Sequence, residues 1–254
     1  MIFDTNIHPT INEKWDNKIP FNPLSKIIKI KKKFQLKGYF AVGINNIGEY
    51  EHNKFFLKTS SLRNAYPVAG LNLKKNIIEE IKKIRNIGFK YVKIHNRSNS
   101  IPFEKVDLEK IFYHCNKYNL KILICSYFNS YSGLMPEKDP KYLLTKMLNK
   151  FKNLKILIMH GGCERLLEFA ELSRFYENLF LDLSLTITKY EGSSIDNDIK
   201  YLFKNFDKKI TLGSDYPEID YKYFIKRINF FSKGISNSKK ENIFFKNALK
   251  FINS

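Results

Sequence analysis

The chain has 254 residues, of which 43% are hydrophobic and 15% aromatic, so it can build a large core and is not a disordered protein. Its 44 Lys and Arg against 25 Asp and Glu give a net charge of +19, but the excess lysine is spread along the chain and forms no nucleic-acid-binding motif. No apolar run approaches the ~20 residues of a membrane helix, and three cysteines without a CxxC pair fit a reducing compartment. We therefore expect a cytoplasmic protein with no nucleic-acid or membrane partner.

Strand-like and helical segments alternate along the whole chain. The helical segments carry apolar residues at the spacing of one helix face, most clearly in Lys74–Ile87, which stops at Gly88. The basic segment Lys26–Lys33 has interleaved isoleucines, so it is either an amphipathic helix with a solvated face or an anion-binding surface. The eight predicted strands are Ile2–Ile7, Gly38–Ile44, Tyr66–Leu71, Tyr91–His95, Lys121–Cys125, Lys155–His160, Asn178–Ser184 and Ile210–Ser214.

This alternation predicts an α/β fold, a (β/α)8 TIM barrel formed as a single domain over residues 1–254. Eight units in 254 residues leave about 32 residues per unit, which is close to one βα repeat. Strands joined by helical crossovers favour a closed barrel over an open doubly wound sheet. The long loops Asn45–Asn53 and Phe128–Pro140 are candidate lids over the site.

Four of the predicted strands end on a residue that can bind metal or move protons. These residues are Asp215, His160, His95 and His8. Because the active site of a β/α barrel lies at the carboxyl ends of its strands, one geometry would bring all four together. The alternative is that each polar residue simply ends its strand in water. Strict alternation in the first strand would turn Asp4, Asn6 and His8 into the barrel.

Seven segments in order resemble signatures of the amidohydrolase superfamily, in the amidohydrolase-related branch that includes 2-pyrone-4,6-dicarboxylate lactonase and aminocarboxymuconate-semialdehyde decarboxylase. The resemblance implies a β/α barrel hydrolase with a divalent metal, often zinc. The metal would be held by an HxH pair on strand one, a histidine on strand five and an aspartate on strand eight. The segments are Phe3–Pro9, Pro67–Leu71, Ile87–His95, Ile156–Gly162, Leu181–Ser184, Leu212–Pro217 and Asn247–Ile252.

The implied metal site is incomplete in this sequence. Asn6 replaces the first histidine of the HxH pair and Cys125 replaces the strand-five histidine, whereas His8 and Asp215 remain. Imidazole, thiolate and carboxylate are legitimate zinc ligands, so these four residues could still hold one divalent metal, with zinc as the first candidate. A buried cysteine without metal instead behaves as a small hydrophobe. Because the lactonase branch works without a metal, both options stay open.

Basic residues near the same strand ends suggest an anionic substrate. The expected substrate-binding residues are Lys93, His95, Arg97 and Arg165, because their charges suit a carboxylated or phosphorylated ligand. The alternative for Lys93 is a structural pair with Asp182 or Asp215.

The sequence thus predicts a hydrolase that opens a C–O or C–N bond of a small anionic molecule. Asp215 would act as general base and His160 would assist it as electrophile or acid. A decarboxylase on the same scaffold and a catalytically silent ligand-binding barrel are the alternatives. A homodimer is a candidate assembly.

Overall fold

The structure, a computed structural model, describes residues 1–15, 24–128 and 136–254. Within these ranges the strands are β1 Ile2–Ile7, β2 Leu36–Val42, β3 Ala65–Gly70, β4 Tyr91–Ile94, β5 Lys121–Cys125, β6 Ile156–Met159, β7 Leu179–Asp182 and β8 Ile210–Thr211. The helices are α1 Leu24–Lys33, α2 His52–Ser60, α3 Ile77–Ile87, α4 Leu108–Lys117, α5 Pro140–Lys150, α6 Leu166–Phe175, α7 Thr186–Lys189, α8 Ile195–Asn205, α9 Tyr221–Phe231, α10 Asn237–Glu241 and α11 Asn247–Asn253. The basic segment of the sequence is helical, as one of its two interpretations predicts.

The eight strands form one parallel sheet in chain order, and its two edges meet. The backbone N–H groups of Thr5 and His8 donate to the carbonyls of Leu212 and Tyr216 at 2.9 and 2.8 Å, respectively. These bonds join β1 to the chain that follows β8, so the predicted TIM barrel is confirmed.

Two apolar layers hold the barrel together. Aromatic and aliphatic side chains fill its interior, among them Phe3, Phe40, Tyr91 and Phe180, and Phe251 of α11 packs against them. A larger layer lies between the strands and the surrounding helices. Because parallel strands are covered on both faces, their residues are almost all buried. The polar residues of the site therefore lie only where the strands end.

The prediction that Asp4 turns into the barrel, made from strict alternation in β1, is wrong. The strand register shifts between Asp4 and Ile7. As a result, Thr5 lies beside Asp182 of β7 and donates to its carboxylate at 2.5 Å, while Asp4 lies beside Tyr221 of α9. A β-bulge of this kind is common next to active sites, because it re-aims a side chain. Asn6 and His8 nevertheless face the mouth of the barrel.

The two candidate lids differ in how much of each segment the structure describes. The segment Asn45–Asn53 is a loop up to the start of α2 at His52, and its first residues border the cavity described below. Most of the segment Phe128–Pro140 lies outside the described residues. In the described part of the chain, no helix combines the length and apolar character that a membrane-spanning segment requires.

Candidate active site

A cavity of about 710 Å³ opens at the carboxyl ends of the strands. Its size is within the range of small-molecule sites, which is about 300–1,000 Å³. The predicted site residues that border it are His8, Lys93, His95, Arg97, Cys125, His160 and Asp215. The structure thus brings seven of the nine predicted residues to one cavity, and Asn6 lies directly beneath Asp215.

Asp215 is held by two neighbours from β1 and its end. Its Oδ1 lies 3.2 Å from His8 Nε2 and accepts from Asn6 Nδ2 at 2.5 Å. Burial acts to raise the pKa of Asp215, but the His8 hydrogen bond and the charge of His160 outweigh it and hold the pKa well below its ordinary range. The carboxylate is therefore ionised at neutral pH.

The position of His8 between two acceptors makes it a site for a proton. Its Nδ1 lies 2.9 Å from the carbonyl oxygen of Val42, while its Nε2 faces Asp215. Burial and the charge of Lys93 lower the pKa of His8 to about 4, so the ring is neutral at pH 7 and carries one N–H. A neutral ring cannot donate to both oxygens. The His8–Asp215 pair can therefore take up a proton from a bound molecule and share it.

His160 has a defined orientation. Its Nδ1 lies 3.1 Å from the carbonyl oxygen of Ser184, which can only accept, so Nδ1 carries a proton. The Ser184 hydroxyl and backbone N–H both donate to the buried Asp182. Burial acts to lower the pKa of His160, but its contact with Cys125 and the charge of Asp215 raise it overall. His160 is therefore suited to act as a proton donor.

Strained backbone places both His160 and Asp215. His160 and Asp215 follow their strands in the left-handed region, with φ of 64° and 57°. Side chains other than glycine rarely adopt this conformation, and it is concentrated at functional sites. Gly213 is required just before Asp215, because a Cβ there would lie 2.6 Å from Asp182 Oδ2. The Gly in GSDYP thus lets β7 and the end of β8 approach closely.

Cys125 lies between two imidazoles. It ends β5, it is 1% exposed, and the imidazoles of His95 and His160 are its neighbours in the cavity. Burial acts to raise the pKa of the Cys125 thiol, but these two imidazoles outweigh it and hold the pKa well below its ordinary value. The buried Cys115 and Cys163 have no such neighbours, and burial raises the pKa of Cys163 to about 12.

Three cationic side chains border the cavity. Lys93 is 1% exposed, and among the residues that the structure describes it has no hydrogen bond or ion pair. Burial lowers its pKa from the ordinary value of 10.5. The Arg97 guanidinium lies 4.2 Å from the ring centre of Tyr127, and Lys189 Nζ lies 2.7 Å from the Tyr127 hydroxyl. An anionic ligand would complement this set of charges.

Arg165 does not reach this cavity, which corrects its predicted grouping with Lys93, His95 and Arg97. Its guanidinium pairs with Asp139 at 2.9 Å and with Glu168 at 2.7 Å. It borders a separate cavity of about 300 Å³ beside Pro136 and Pro140. Because Asp139 and Glu168 neutralise its charge, Arg165 belongs to a group of surface ion pairs and does not border the described cavity. No ion pair joins Lys93 to Asp182 or Asp215 in the described structure, but the charges of both carboxylates act on it, so the structural pair stays an alternative.

The donor set does not fit the metal that the family resemblance implies. Among the described residues, no group of three or more His, Cys, Asp and Glu side chains is placed to hold a metal ion. His8 and Asp215 adjoin one another, but these two residues supply fewer donors than the three protein ligands that catalytic zinc needs. The amide N–H of Asn6 points at Asp215, so the asparagine stabilises the carboxylate by a hydrogen bond. Its buried Oδ1 makes no hydrogen bond within the described structure.

The cavity residues that were not predicted as site residues include Trp15, Tyr127, Lys189 and Glu218. Trp15, the single tryptophan, stacks on His8 with ring centres 5.1 Å apart, and its indole N–H donates to Glu218 at 3.0 Å. Tyr127 and Lys189 complete the cationic wall. Trp15, Tyr127 and Glu218 lie on loops and Lys189 ends α7, so only the fold brings them together. The uniqueness of Trp15 was the one available signal.

Most of the chain matches one protein-family model. The amidohydrolase family model matches residues 67–253, which is most of the chain. The protein therefore belongs to the amidohydrolase family, and the resemblance drawn from its seven sequence segments is confirmed. No curated protein matches the sequence.

Solved structures share the fold at low identity. A probable 2-pyrone-4,6-dicarboxylic acid hydrolase from Acinetobacter baumannii, with citric acid bound, has a TM-score of 0.68 at 16% identity, covering 100% of this chain and 99% of that one. A zinc-bound amidohydrolase from Burkholderia multivorans has a TM-score of 0.71 at 10% identity, covering 100% and 99%. A 2,6-dihydroxybenzoate decarboxylase from Rhizobium has a TM-score of 0.69 at 10% identity, covering 99% and 98%. At these identities the likeness establishes the fold alone.

Proposed function

We propose that the protein is a hydrolase that opens a C–O or C–N bond of a small carboxylated molecule. The observation that carries the proposal is the placement of a proton acceptor and a proton donor in one cavity. Asp215 and His8 form the acceptor, and His160 is the donor. Membership of the amidohydrolase family supports an enzyme of this general kind.

The first task of the site is to bind an anion. Lys93 is buried without a partner in the described structure, so a carboxylate of the substrate would satisfy its charge. Arg97 and Lys189 widen the positive wall towards the opening. The citric acid bound by the Acinetobacter neighbour is a small polycarboxylate, which supports the same class of ligand.

The second task is proton transfer. Asp215 would accept the proton of a water molecule, and His8 would share it, which offsets the weak basicity of a carboxylate whose pKa is lowered. The His160 imidazolium would protonate the leaving oxygen or nitrogen. An amidohydrolase metal, where one is bound, polarises the substrate carbonyl. Since the described residues do not form a site for it, no step here depends on it.

A screen of carboxylated lactones, amides and esters tests this proposal, with proton release measured in a pH-stat. Arg97→Gln should raise KM at least ~10-fold with a smaller change in kcat, because Arg97 borders the cavity and a lost charge contact weakens anion binding. Arg165→Gln is the matched control, since Arg165 borders a different cavity, and it should leave both constants unchanged. Equal effects of the two variants would contradict the assigned cavity.

Decarboxylation is the second candidate, favoured by the same carboxylate-binding lysine and by the Rhizobium decarboxylase among the structural neighbours. Measuring CO2 release from carboxylated aromatics in parallel separates the two reactions. A screen that yields binding without turnover of any compound would instead favour the silent ligand-binding barrel.

A further inference from the structure

Cys125 occupies a position that the proposed hydrolysis has not yet used. The pairing of β4 with β5 runs through Ile94 and Ile124, and one step further along both strands brings His95 beside Cys125. The pairing of β5 with β6 joins Cys125 to Met159, so His160 follows directly on the other side. His95 and His160 thus follow the two strands that flank β5, and the imidazoles of both contact the Cys125 sulfur.

This setting differs from that of an ordinary buried cysteine. A thiol in apolar surroundings is inert, and the thiolate is the nucleophile. Cys115 illustrates the inert case, because it lies on the buried face of α4 in the apolar layer and burial raises the pKa of its thiol. Cys125 borders the open cavity instead, and both of its imidazole neighbours favour the thiolate.

A second observation indicates that a ligand comes to this point. Lys93 borders the same cavity, is 1% exposed and has no hydrogen bond or ion pair within the described structure. It lies on the strand next to Cys125, and their charges interact. An ammonium beside a nucleophile can hold a carboxylate or the oxyanion that forms during attack on a carbonyl.

We propose that Cys125 is a nucleophile of this cavity and forms a transient thioester with the acyl group of the substrate. This role rests on the proposed hydrolase function. In the first step the sulfur bonds to the carbonyl carbon, the C–O or C–N bond breaks, and the proton of His160 passes to the leaving group. In the second step water attacks the thioester carbon and gives a proton to the Asp215–His8 pair. The S–C bond then breaks, the acid product leaves, and the thiolate returns while solvent carries the proton back to His160.

Alkylation of the native protein with iodoacetamide tests the nucleophile without any substrate. Peptide mapping by mass spectrometry gives the labelling rate of each cysteine over a series from about pH 5.5 to 9. We expect Cys125 to be labelled with an apparent pKa well below that of a free thiol, while Cys115 and Cys163 stay unlabelled. Labelling of Cys125 only after unfolding, or with an apparent pKa at or above the ~8.5 of a free thiol, would overturn the proposal.

Variants and a chelator exclude other causes of fast labelling. His95→Gln and His160→Gln should each raise the apparent pKa of Cys125 labelling, whereas Arg165→Gln should not change it. Labelling should also be the same before and after treatment with EDTA. If Cys125 were labelled only after chelation, a metal ion would be bound to it and the nucleophile would be disproved.

The catalytic step has its own readout. With a substrate from the screen, Asp215→Asn protein quenched in acid should carry an added acyl mass on Cys125, because deacylation needs the base. Cys125→Ala should lose turnover at least ~100-fold. Full turnover by Cys125→Ala would overturn the thioester and leave the hydrolase proposal standing. If no compound is turned over, the hydrolase proposal fails while the iodoacetamide result still decides whether Cys125 is nucleophilic.

Discussion

Replacement of Lys93 by methionine should stabilise the protein and weaken anion binding. Lys93 is 1% exposed and has no ion pair in the described structure. Folding therefore removes its ammonium from water, and no ion pair offsets the lost hydration. An apolar side chain of similar length should raise the free energy of unfolding by ~1–2 kcal/mol. For a chain of this size that corresponds to an increase in Tm of ~2–8 °C.

The pH dependence of this gain follows from the lowered pKa of Lys93. Between its lowered folded pKa and 10.5, the unfolded chain holds more protons on this group than the folded protein does. The stability of the unsubstituted protein therefore rises with pH in that window. The difference in the free energy of unfolding between the unsubstituted protein and Lys93→Met should therefore decrease in that pH window.

Thermal unfolding followed by circular dichroism provides the assay, with Lys90→Met as the matched control. Lys90 precedes β4 and is exposed, so the same substitution should shift Tm by less than ~2 °C. A fall of several degrees for Lys93→Met relative to Lys90→Met would refute the reasoning. It would show that the ammonium stabilises the fold, as in the structural alternative for Lys93.

Three further predictions concern other parts of the site. Because the pKa of His160 is raised, kcat/KM should fall only above its ordinary value of 6.5, and a fall that is complete below it would contradict its role as acid. Gly213→Ala should lower the free energy of unfolding in urea by ~1–3 kcal/mol, because the new Cβ would lie 2.6 Å from Asp182 Oδ2; unchanged stability would contradict the close approach. Protein purified without added metal should contain substoichiometric zinc by elemental analysis, and Asn6→His combined with Cys125→His should raise zinc affinity steeply; tight one-to-one zinc in the unsubstituted protein would contradict the donor-set argument.

The sequence predicted the barrel because its signals are local and repeated. Each strand is a short apolar run, and each crossover helix has apolar residues on one face, as in Ile77–Ile87. Strand ends could also be located, so the arrival of His8, His160 and Asp215 at one cavity followed from the topology. Six of the eight strands end one to three residues before the predicted end, as β8 does, because site residues continue the apolar run without continuing the ladder.

Features set by the geometry between distant segments could not be predicted. The register shift in β1 turns Asp4 away from the interior, and no residue in the strand signals it. Arg165 follows a strand end as Arg97 does, but the carboxylates of Asp139 and Glu168 divert it. Lys189 reaches the cavity from α7 and donates to the Tyr127 hydroxyl, a contact that no pattern in the sequence indicates.

The measurement that tests the central claim most directly is the turnover of Asp215→Asn beside its melting temperature. Asparagine keeps the shape of the side chain and its hydrogen bonding but removes the base, so kcat should fall at least ~100-fold. Tm should stay the same or rise, as expected when an active-site charge held for function is neutralised. Undiminished turnover by the variant, or loss of its folded state, would show that Asp215 is a structural residue and would contradict the account.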